Sequence, residues 1–143
     1  MRINDVLKAK ASHDIITISP DATVRELITL LAEHNIGAVI VSGDGGSVDG
    51  IVSERDVVRR LGEDSGVLDR PISVIMTSEV RTCSGTDHLN DLMQVMTDHR
   101  IRHVPVVDDG TLTGIISIGD VVKNRITELE FERDQLDHYV HQT

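Results

Sequence analysis

A short motif that occurs twice constrains the fold of this chain more than any other feature. It has the order Gly, two apolar residues, Ser, two variable residues and Asp, and it runs from Gly50 to Asp56 and, 64 residues later, from Gly114 to Asp120. Two such copies in a chain of 143 residues are typical of a duplicated unit whose halves share one compact domain. We therefore expect two similar halves.

The segments around the motif also correspond. His34-Asn35-Ile36 corresponds to His99-Arg100-Ile101 at an offset of 65 residues, and the offset falls to 64 because the turn Asp108-Asp109-Gly110 is one residue shorter than its counterpart. A slip confined to a loop is what a duplication produces. We predict a first repeat at 1–62, a linker at 63–70, a second repeat at 71–125 and a C-terminal helix extension at 126–143.

Hydrophobic spacing predicts the elements of each repeat. In the first repeat, the β-branched run 15–18 predicts a strand, and apolar residues at helical spacing predict a helix from Val24 to about His34. The apolar runs 37–41 and 48–53, joined by a glycine-rich turn, predict an antiparallel strand pair. With the helix that follows the motif, each half has the order β-α-β-β-α, so the predicted fold class is α/β (α+β).

The helix after the motif differs between the two repeats. In the first, we predict that it ends near Leu61, with Val57, Val58 and Leu61 facing inward. In the second, an apolar stripe continues almost to the C-terminus: Val122, Ile126, Leu129, Leu136 and Tyr139. A helix of about 20 residues extends roughly 30 Å, which is more than a small domain can bury, so we expect it to pack on another subunit. The alternative is a solvated, frayed tail.

Charge and cysteine content exclude several classes of partner and site. The net charge of −10 argues against nucleic acid and against anionic membrane surfaces. The single Cys83 excludes an internal disulfide, a four-cysteine zinc site and a redox pair. No run approaches the 18 or so apolar residues of a membrane span. These features predict a soluble cytoplasmic protein.

Taken alone, the motif is typical of a helix start. A Ser followed three residues later by a carboxylate forms a capping box, in which both side chains accept hydrogen bonds from backbone N–H groups. The sequence also contains no phosphate-binding loop with its Lys, no nucleophile elbow and no zinc-protease motif. We therefore predict that the chain is not an enzyme and has no catalytic residue, catalytic cofactor or metal site.

Two β-α-β-β-α halves that each contain the motif resemble a tandem pair of CBS domains, known as a Bateman module. The resemblance covers about 1–125, and it includes the segments Thr17-Ile18-Ser19-Pro20-Asp21 and 101–107. The end of the chain, 136–140, is similar to that of single-module members with an extended C-terminal helix. The resemblance implies two repeats packed with pseudo-twofold symmetry, clefts that bind adenine nucleotides or related adenosyl ligands, and dimerisation.

The resemblance also implies site residues. Asp56 and Asp120 match the family's ribose-binding position, where a carboxylate accepts hydrogen bonds from both vicinal hydroxyls. Ser53 and Ser117 lie where a hydroxyl and helix N-terminal N–H groups reach phosphate. Aliphatic strand residues supply the adenine slot in such proteins. The candidates for this slot are Ile16, Ile18, Val39, Val80 and Val104, and Thr17, Thr82 and Pro105 complete the predicted ligand-binding set.

The two halves offer different cations to a phosphate. The second carries Arg102 and His103 at positions where the first has Gly37 and Ala38, while the first offers Arg55 inside its motif. We hypothesise that both clefts hold an adenosine unit and that the cleft with Asp120, Arg102 and His103 holds phosphate more firmly.

These observations favour a regulatory sensor module that binds AMP, ATP or NAD and acts through a change in conformation or assembly. The expected partners are the nucleotide, a second copy of the chain and a separate regulated protein. The alternative is a structural dimerisation or partner-binding module with empty clefts.

Overall fold

The computed structural model describes residues 1–10 and 14–141. The first half and its flanking segment contain α1 (Ile3–Ala9), β1 (Thr17–Ile18), α2 (Val24–His34), β2 (Ala38–Val41), β3 (Gly50–Ser53) and α3 (Glu54–Glu63). Two short 3₁₀ helices follow, Ser65–Asp69 and Ile72–Val74. The second half contains α4 (Leu89–His99), β4 (His103–Asp108), β5 (Thr111–Ser117) and α5 (Ile118–Val140).

The first repeat forms a three-stranded sheet in the order β1-β2-β3. β1 runs parallel to β2, and β2 pairs antiparallel with β3, as the sequence predicts. Helix α2 begins at a capping box between Thr23 and Glu26 and ends at Asn35, whose left-handed backbone stops the helix. Its buried residues Val24, Leu27 and Leu31 form one core cluster with the buried residues of the sheet.

The second repeat has the same topology with a shorter first strand. β4 and β5 pair antiparallel, and the place of the first strand is taken by a single parallel bridge between Cys83 and Val106. That bridge corresponds in register to the pairing of Ile18 with Val41 in the first repeat. The fold is therefore α/β, with two related repeats and a long C-terminal helix.

The opening segment of each repeat packs in the core of the other half. Ile3 and Val6 of α1 lie in the cluster formed around α4, β4 and β5. Ile72 and Ile75, which open the second repeat, lie in the cluster formed around α2, β2 and β3. Each core is thus completed by the segment that opens the other repeat. The predicted boundaries at 62, 70 and 125 stay a prediction.

Polar contacts also join the halves. The Ile51 N–H donates to the Thr77 carbonyl over 2.9 Å, and the Thr77 N–H returns a bond to Ile51 over 2.9 Å. The Leu112 N–H donates to the Gly46 carbonyl over 2.8 Å, which connects the two hairpins. These bonds connect β3 to the segment that opens the second repeat, and β5 to the turn between β2 and β3.

The prediction that Val58 and Leu61 of α3 face inward was wrong. Val57 is buried, but Val58 is 69% exposed and Leu61 is 38% exposed. Successive side chains of a helix point about 100° apart. Only a narrow face of α3 contacts this small core, so Val57 lies on that face and Val58 points into solvent. Val122, the counterpart of Val58 in the second repeat, is also exposed.

Helix α5 leaves the core soon after it begins. Val121 is its buried apolar residue, and from 129 onwards its described residues are exposed. The exposed apolar side chains of its outer part are Ile126, Leu129, Phe131, Leu136, Tyr139 and Val140. Among the residues that the structure describes, no helix combines the length and apolar character needed to cross a bilayer.

Candidate functional site

The first motif forms a capping box at the start of α3. The Ser53 N–H donates to Asp56 Oδ2 over 2.8 Å, and the Asp56 N–H donates to Ser53 Oγ over 3.4 Å. The Ser53 hydroxyl lies 3.2 Å from the same Oδ2. The second carboxylate oxygen, Oδ1, lies outside these bonds. Capping therefore uses one oxygen of Asp56 and leaves the other available to a ligand.

The second motif forms the same box at the start of α5 and adds a cation. The Ser117 N–H donates to Asp120 Oδ2 over 2.9 Å, and the Asp120 N–H donates to Ser117 Oγ over 3.1 Å. Lys10 Nζ lies 3.0 Å from Asp120 Oδ2 and donates to the Ile115 carbonyl over 2.9 Å. A ligand that approaches Asp120 therefore meets a carboxylate that is already paired with an ammonium group.

The charge state of Asp120 suits hydrogen-bond acceptance. Burial alone would raise its pKa, but the hydrogen bonds from Ser117 and Lys10 outweigh that effect and hold the pKa of the carboxyl below its ordinary value. Asp120 is therefore ionised at neutral pH. A carboxylate in that state accepts stronger hydrogen bonds than a neutral acid does.

His103 lies beside this carboxylate at the start of β4. It pairs with Ser117 in the β4–β5 register. Burial lowers the pKa of His103, and the negative charge of Asp120 only partly offsets that effect. His103 is thus mainly neutral at physiological pH and offers a hydrogen bond rather than a fixed positive charge.

Arg55 and Arg102 lie on one concave surface, although the sequence assigned them to different clefts. Both line a cavity of about 410 Å³, together with Ile118 at the start of α5. The Ile118 N–H donates to the Arg102 carbonyl over 2.8 Å, as the Glu54 N–H does to Gly37 over 3.0 Å in the first repeat. The lining of this cavity includes neither Asp56 nor Asp120.

The predicted adenine-slot residues differ in accessibility. Val39, Val104 and Pro105 are buried, and Val104 belongs to the core of the second repeat. The half-buried candidates are Ile16, Thr17, Ile18 and Val80, and Thr82 is exposed. Only the half-buried and exposed candidates are open to a ligand without a rearrangement, and the role of every member of the set stays a prediction.

Lys10 is the contact that sequence reasoning missed. It follows α1, whose residues Ile3, Val6 and Leu7 correspond to Ile72, Ile75 and Met76, 69 residues later. The counterpart of Lys10 is then Glu79, a reversal of charge that could have drawn attention to this position. Its proximity to Asp120 depends on the exchange of opening segments between halves, and the repeat pattern does not reveal that exchange.

The environment of Cys83 disfavours its thiolate form. Burial raises the pKa of the Cys83 thiol to about 12, with further contributions from Asp87 and Asp108. A thiol held in this state is a poor nucleophile. Within residues 1–10 and 14–141, no three His, Cys, Asp or Glu side chains are grouped so that they could hold a metal ion.

Comparison with known proteins identifies the family to which the fold belongs. The family model for the CBS domain matches residues 3–63 and again 72–126. The chain is 35% identical over 148 residues to the mitochondrial CBS domain-containing protein CBSX3 of Arabidopsis thaliana, covering 96% of this chain and 71% of the relative.

Two solved structures are similar in fold and sequence. The CBS-domain containing protein ATU1752 from Agrobacterium tumefaciens superposes with a TM-score of 0.82 at 42% identity, covering 87% of this chain and 99% of the other. The CBS domain pair of protein MJ0100, in complex with 5-methylthioadenosine and S-adenosyl-L-methionine, superposes with a TM-score of 0.76 at 26% identity, covering 86% and 98%. The chain therefore belongs to the CBS-domain family, and its two CBS domains are the two repeats that the motif defines.

Proposed function

We propose that this chain is a non-catalytic sensor module that binds adenine nucleotides, AMP, ATP or NAD, in clefts beside Asp56 and Asp120. The observation that carries the proposal is the doubled capping box, in which each carboxylate commits Oδ2 and keeps Oδ1 outside the cap. The adenosyl ligands held by the related MJ0100 pair support the ligand class.

The chemistry of the motif fits a ribose. Two vicinal hydroxyls can donate to one carboxylate, and both hydrogen bonds are then charge-assisted. The carboxylate is held at the third position of a helix whose N–H groups point outward and favour anions nearby. Glu79 and Lys10 occupy corresponding positions, so the two clefts differ in charge. The phosphate of a nucleotide is accordingly held more firmly beside Asp120, where Lys10 and His103 lie.

Ligand binding beside Asp120 competes with Lys10. The ammonium group already occupies Oδ2 at 3.0 Å, so a ribose either uses Oδ1 or displaces the lysine. A ligand shifts such an equilibrium only by its different affinities for the two arrangements. Since Lys10 directly follows α1, a ligand that displaces Lys10 would also move the end of α1. A separate protein could sense that change of conformation.

Removing the charge from either carboxylate should weaken adenosine binding. We expect Asp120→Asn and Asp56→Asn to raise the Kd of their own sites by about tenfold, because hydrogen bonds to a charged group contribute more than neutral ones. Asparagine retains an oxygen that can accept the capping bond, so the helix start is preserved. Calorimetric titration of each variant, first with adenosine and then with AMP, measures the Kd for each ligand.

The controls separate charge from stability. Glu130→Gln removes one negative charge from an exposed position of α5 and should bind adenosine like the parent. Lys10→Met removes the competing cation and should bind adenosine at least as tightly as the parent, while losing affinity for AMP. Parent-like adenosine affinity in both Asp variants would exclude a role for the carboxylates.

We also propose that the module forms a homodimer. Val58 and Val122 lie at corresponding positions and are both exposed, and Leu129 of α5 is 48% exposed. Leu129→Asp should weaken dimerisation by at least tenfold, since it places a charge on an apolar contact surface. Thr127→Asp introduces the same charge at a neighbouring exposed position and is the control. Sedimentation equilibrium checks both, and a parent chain that sediments as a monomer would contradict the proposal.

A structural module with empty clefts is the second candidate. It is favoured by the pairing of Lys10 with Asp120, which places a positive charge beside the carboxylate without a ligand. This candidate predicts no thermal shift with adenosine, AMP, ATP or NAD. Native purification, denaturation and mass spectrometry of any released small molecule distinguish it from the sensor.

A further inference from the structure

Helix α5 carries along one side an apolar stripe that the described part of the molecule leaves exposed. Six positions form this α5 stripe, at alternating spacings of four and three residues: Val122, Ile126, Leu129, Arg133, Leu136 and Val140. Its five apolar side chains are between 48% and 64% exposed, and Arg133 is exposed as well. At a rise of 1.5 Å per residue, the α5 stripe extends about 27 Å. A surface of this length has room for a second helix along its side.

The spacing of the α5 stripe is that of a coiled-coil heptad. Val122, Leu129 and Leu136 fall seven residues apart at the d position, and the other three members fall seven residues apart at the a position. The face that holds α5 to its own repeat is different, because the buried residue Val121 points about 100° away from Val122. Phe131 lies on the side opposite to the stripe and takes no part in it. Helix α5 therefore has one face for its own repeat and a second, regular face that fits a partner helix.

The α5 stripe continues past the end of the second CBS domain. That domain ends at residue 126, and four of the six positions of the stripe lie beyond it. From residue 129 onwards, the described residues of α5 have no buried side chain. A short helix without tertiary packing is marginal in water, so the outer turns of α5 gain stability only if something covers them. Packing from another chain would supply what the described part of this chain does not.

We propose that the α5 stripes of two copies of this chain pack against each other as an antiparallel coiled-coil pair. The inference rests on the homodimer proposed above and adds the contacting segment and its orientation, and nucleotide binding is independent of it. With the twofold axis at the level of residue 131, each position of the stripe faces one in the second copy: Val122 faces Val140, Ile126 faces Leu136, and Leu129 faces Arg133. Because the twofold axis repeats each contact, the pair has six layers, and four of them are wholly apolar.

The charges beside the α5 stripe favour the antiparallel orientation. Lys123, Glu130 and Asp137 flank the stripe on one side, at the e position of the heptad. In an antiparallel pair the e positions of the two helices face each other, so Lys123 lies opposite Asp137 of the second copy, and this attraction occurs twice. Glu130 lies opposite Glu130 of the second copy, and Arg133 of each helix lies within one turn of this acidic pair. The acidic centre of the pair is therefore accompanied by two guanidinium groups.

A parallel pair would bring like charges together. Arg133 would face Arg133 of the second copy inside the stripe, and Glu132 would face Asp137 of the second copy beside it. Arg125 would face Glu130 of the second copy, but Arg125 is already paired with Glu128 over 2.7 Å. Like charges at close range cost free energy, so the parallel orientation is the weaker one.

Disulfide crosslinking between introduced cysteines distinguishes the two orientations. In a Cys83→Ala background, the double variant Ile126→Cys, Leu136→Cys should form a disulfide-linked dimer on mild oxidation, because these two positions face each other only in the antiparallel pair. Each single variant should stay unlinked, since a position five residues from the axis lies about 15 Å from its own copy along the helices. The double variant Thr127→Cys, Asp134→Cys carries the same spacing on the outer face and is the control. Non-reducing gels should show at least about tenfold more linked dimer for the first double variant than for the control.

A charge reversal tests the centre of the pair. Arg133→Glu replaces the guanidinium groups beside Glu130 by further carboxylates and should raise the Kd of the dimer by at least about tenfold in sedimentation equilibrium. Arg81→Glu makes the same change of charge at an exposed position outside α5 and should stay within about twofold of the parent. Crosslinking of either single cysteine variant, or an unlinked double variant that still sediments as a dimer, would overturn the antiparallel pair and leave the homodimer standing. A parent chain that sediments as a monomer would overturn both and leave the α5 stripe to a different protein. Adenosine binding by Arg133→Glu should equal that of the parent, so the sensor function is tested separately.

Discussion

Replacing Ile72 by Ala should lower the free energy of unfolding by about 2 to 5 kcal/mol, the range typical of large-to-small substitutions in a packed core. Ile72 is fully buried in the cluster that contains Leu27 and Val52 of the first repeat. Its N–H also donates to the Ala22 carbonyl over 2.8 Å. The substitution leaves that backbone bond intact and creates a cavity, so the loss measures side-chain packing across the repeats.

Val74 in the same short 3₁₀ helix is the matched control. It is 43% exposed, so Val74→Ala should change the free energy of unfolding by no more than about 0.5 kcal/mol. Urea denaturation of both variants measures the difference. Equal losses would mean that the segment after the linker does not complete the first core and that the exchange of opening segments is wrong.

Replacing Gly50 by Ala should destabilise the protein by about 1 to 3 kcal/mol through overpacking. A Cβ at this position would lie 2.8 Å from Met76 Sδ and 2.8 Å from the Thr77 carbonyl oxygen. Met76 can rotate, but the carbonyl is fixed because it accepts the Ile51 N–H. The strand must therefore move away from Thr77, which weakens the contact that joins the two halves beside the first motif.

Gly62→Ala is the control, and it should change stability in the opposite direction. It lies within α3, and a Cβ added there would have no neighbouring atom within 4 Å, so Gly62→Ala should stabilise the protein by about 0.5 to 1 kcal/mol through helix propensity. Thermal or urea unfolding of both variants checks the pair. Stabilisation by Gly50→Ala would show that β3 and Thr77 are not packed closely.

Several features of the site could be predicted from sequence because they are local. The capping boxes Ser53–Asp56 and Ser117–Asp120 form as their spacing requires, since an N-cap and the residue three positions later meet in any helix. The antiparallel pairing of β2 with β3 follows from two apolar runs joined by a short turn. The position of Val58 was mispredicted, because helical spacing alone does not show how wide a stripe of α3 the core covers.

The duplication, the order of elements in each repeat and the carboxylate at each helix start can all be read from the amino-acid sequence, because they depend on residues close together in the chain. Which distant segments meet depends on the three-dimensional fold: Lys10 lies against Asp120, and Arg55 and Arg102 line the same cavity. Both contacts follow from the exchange of opening segments and from packing between repeats. The free energy of such long-range contacts comes from apolar surface buried between distant segments, and a linear pattern does not say which buried faces pair.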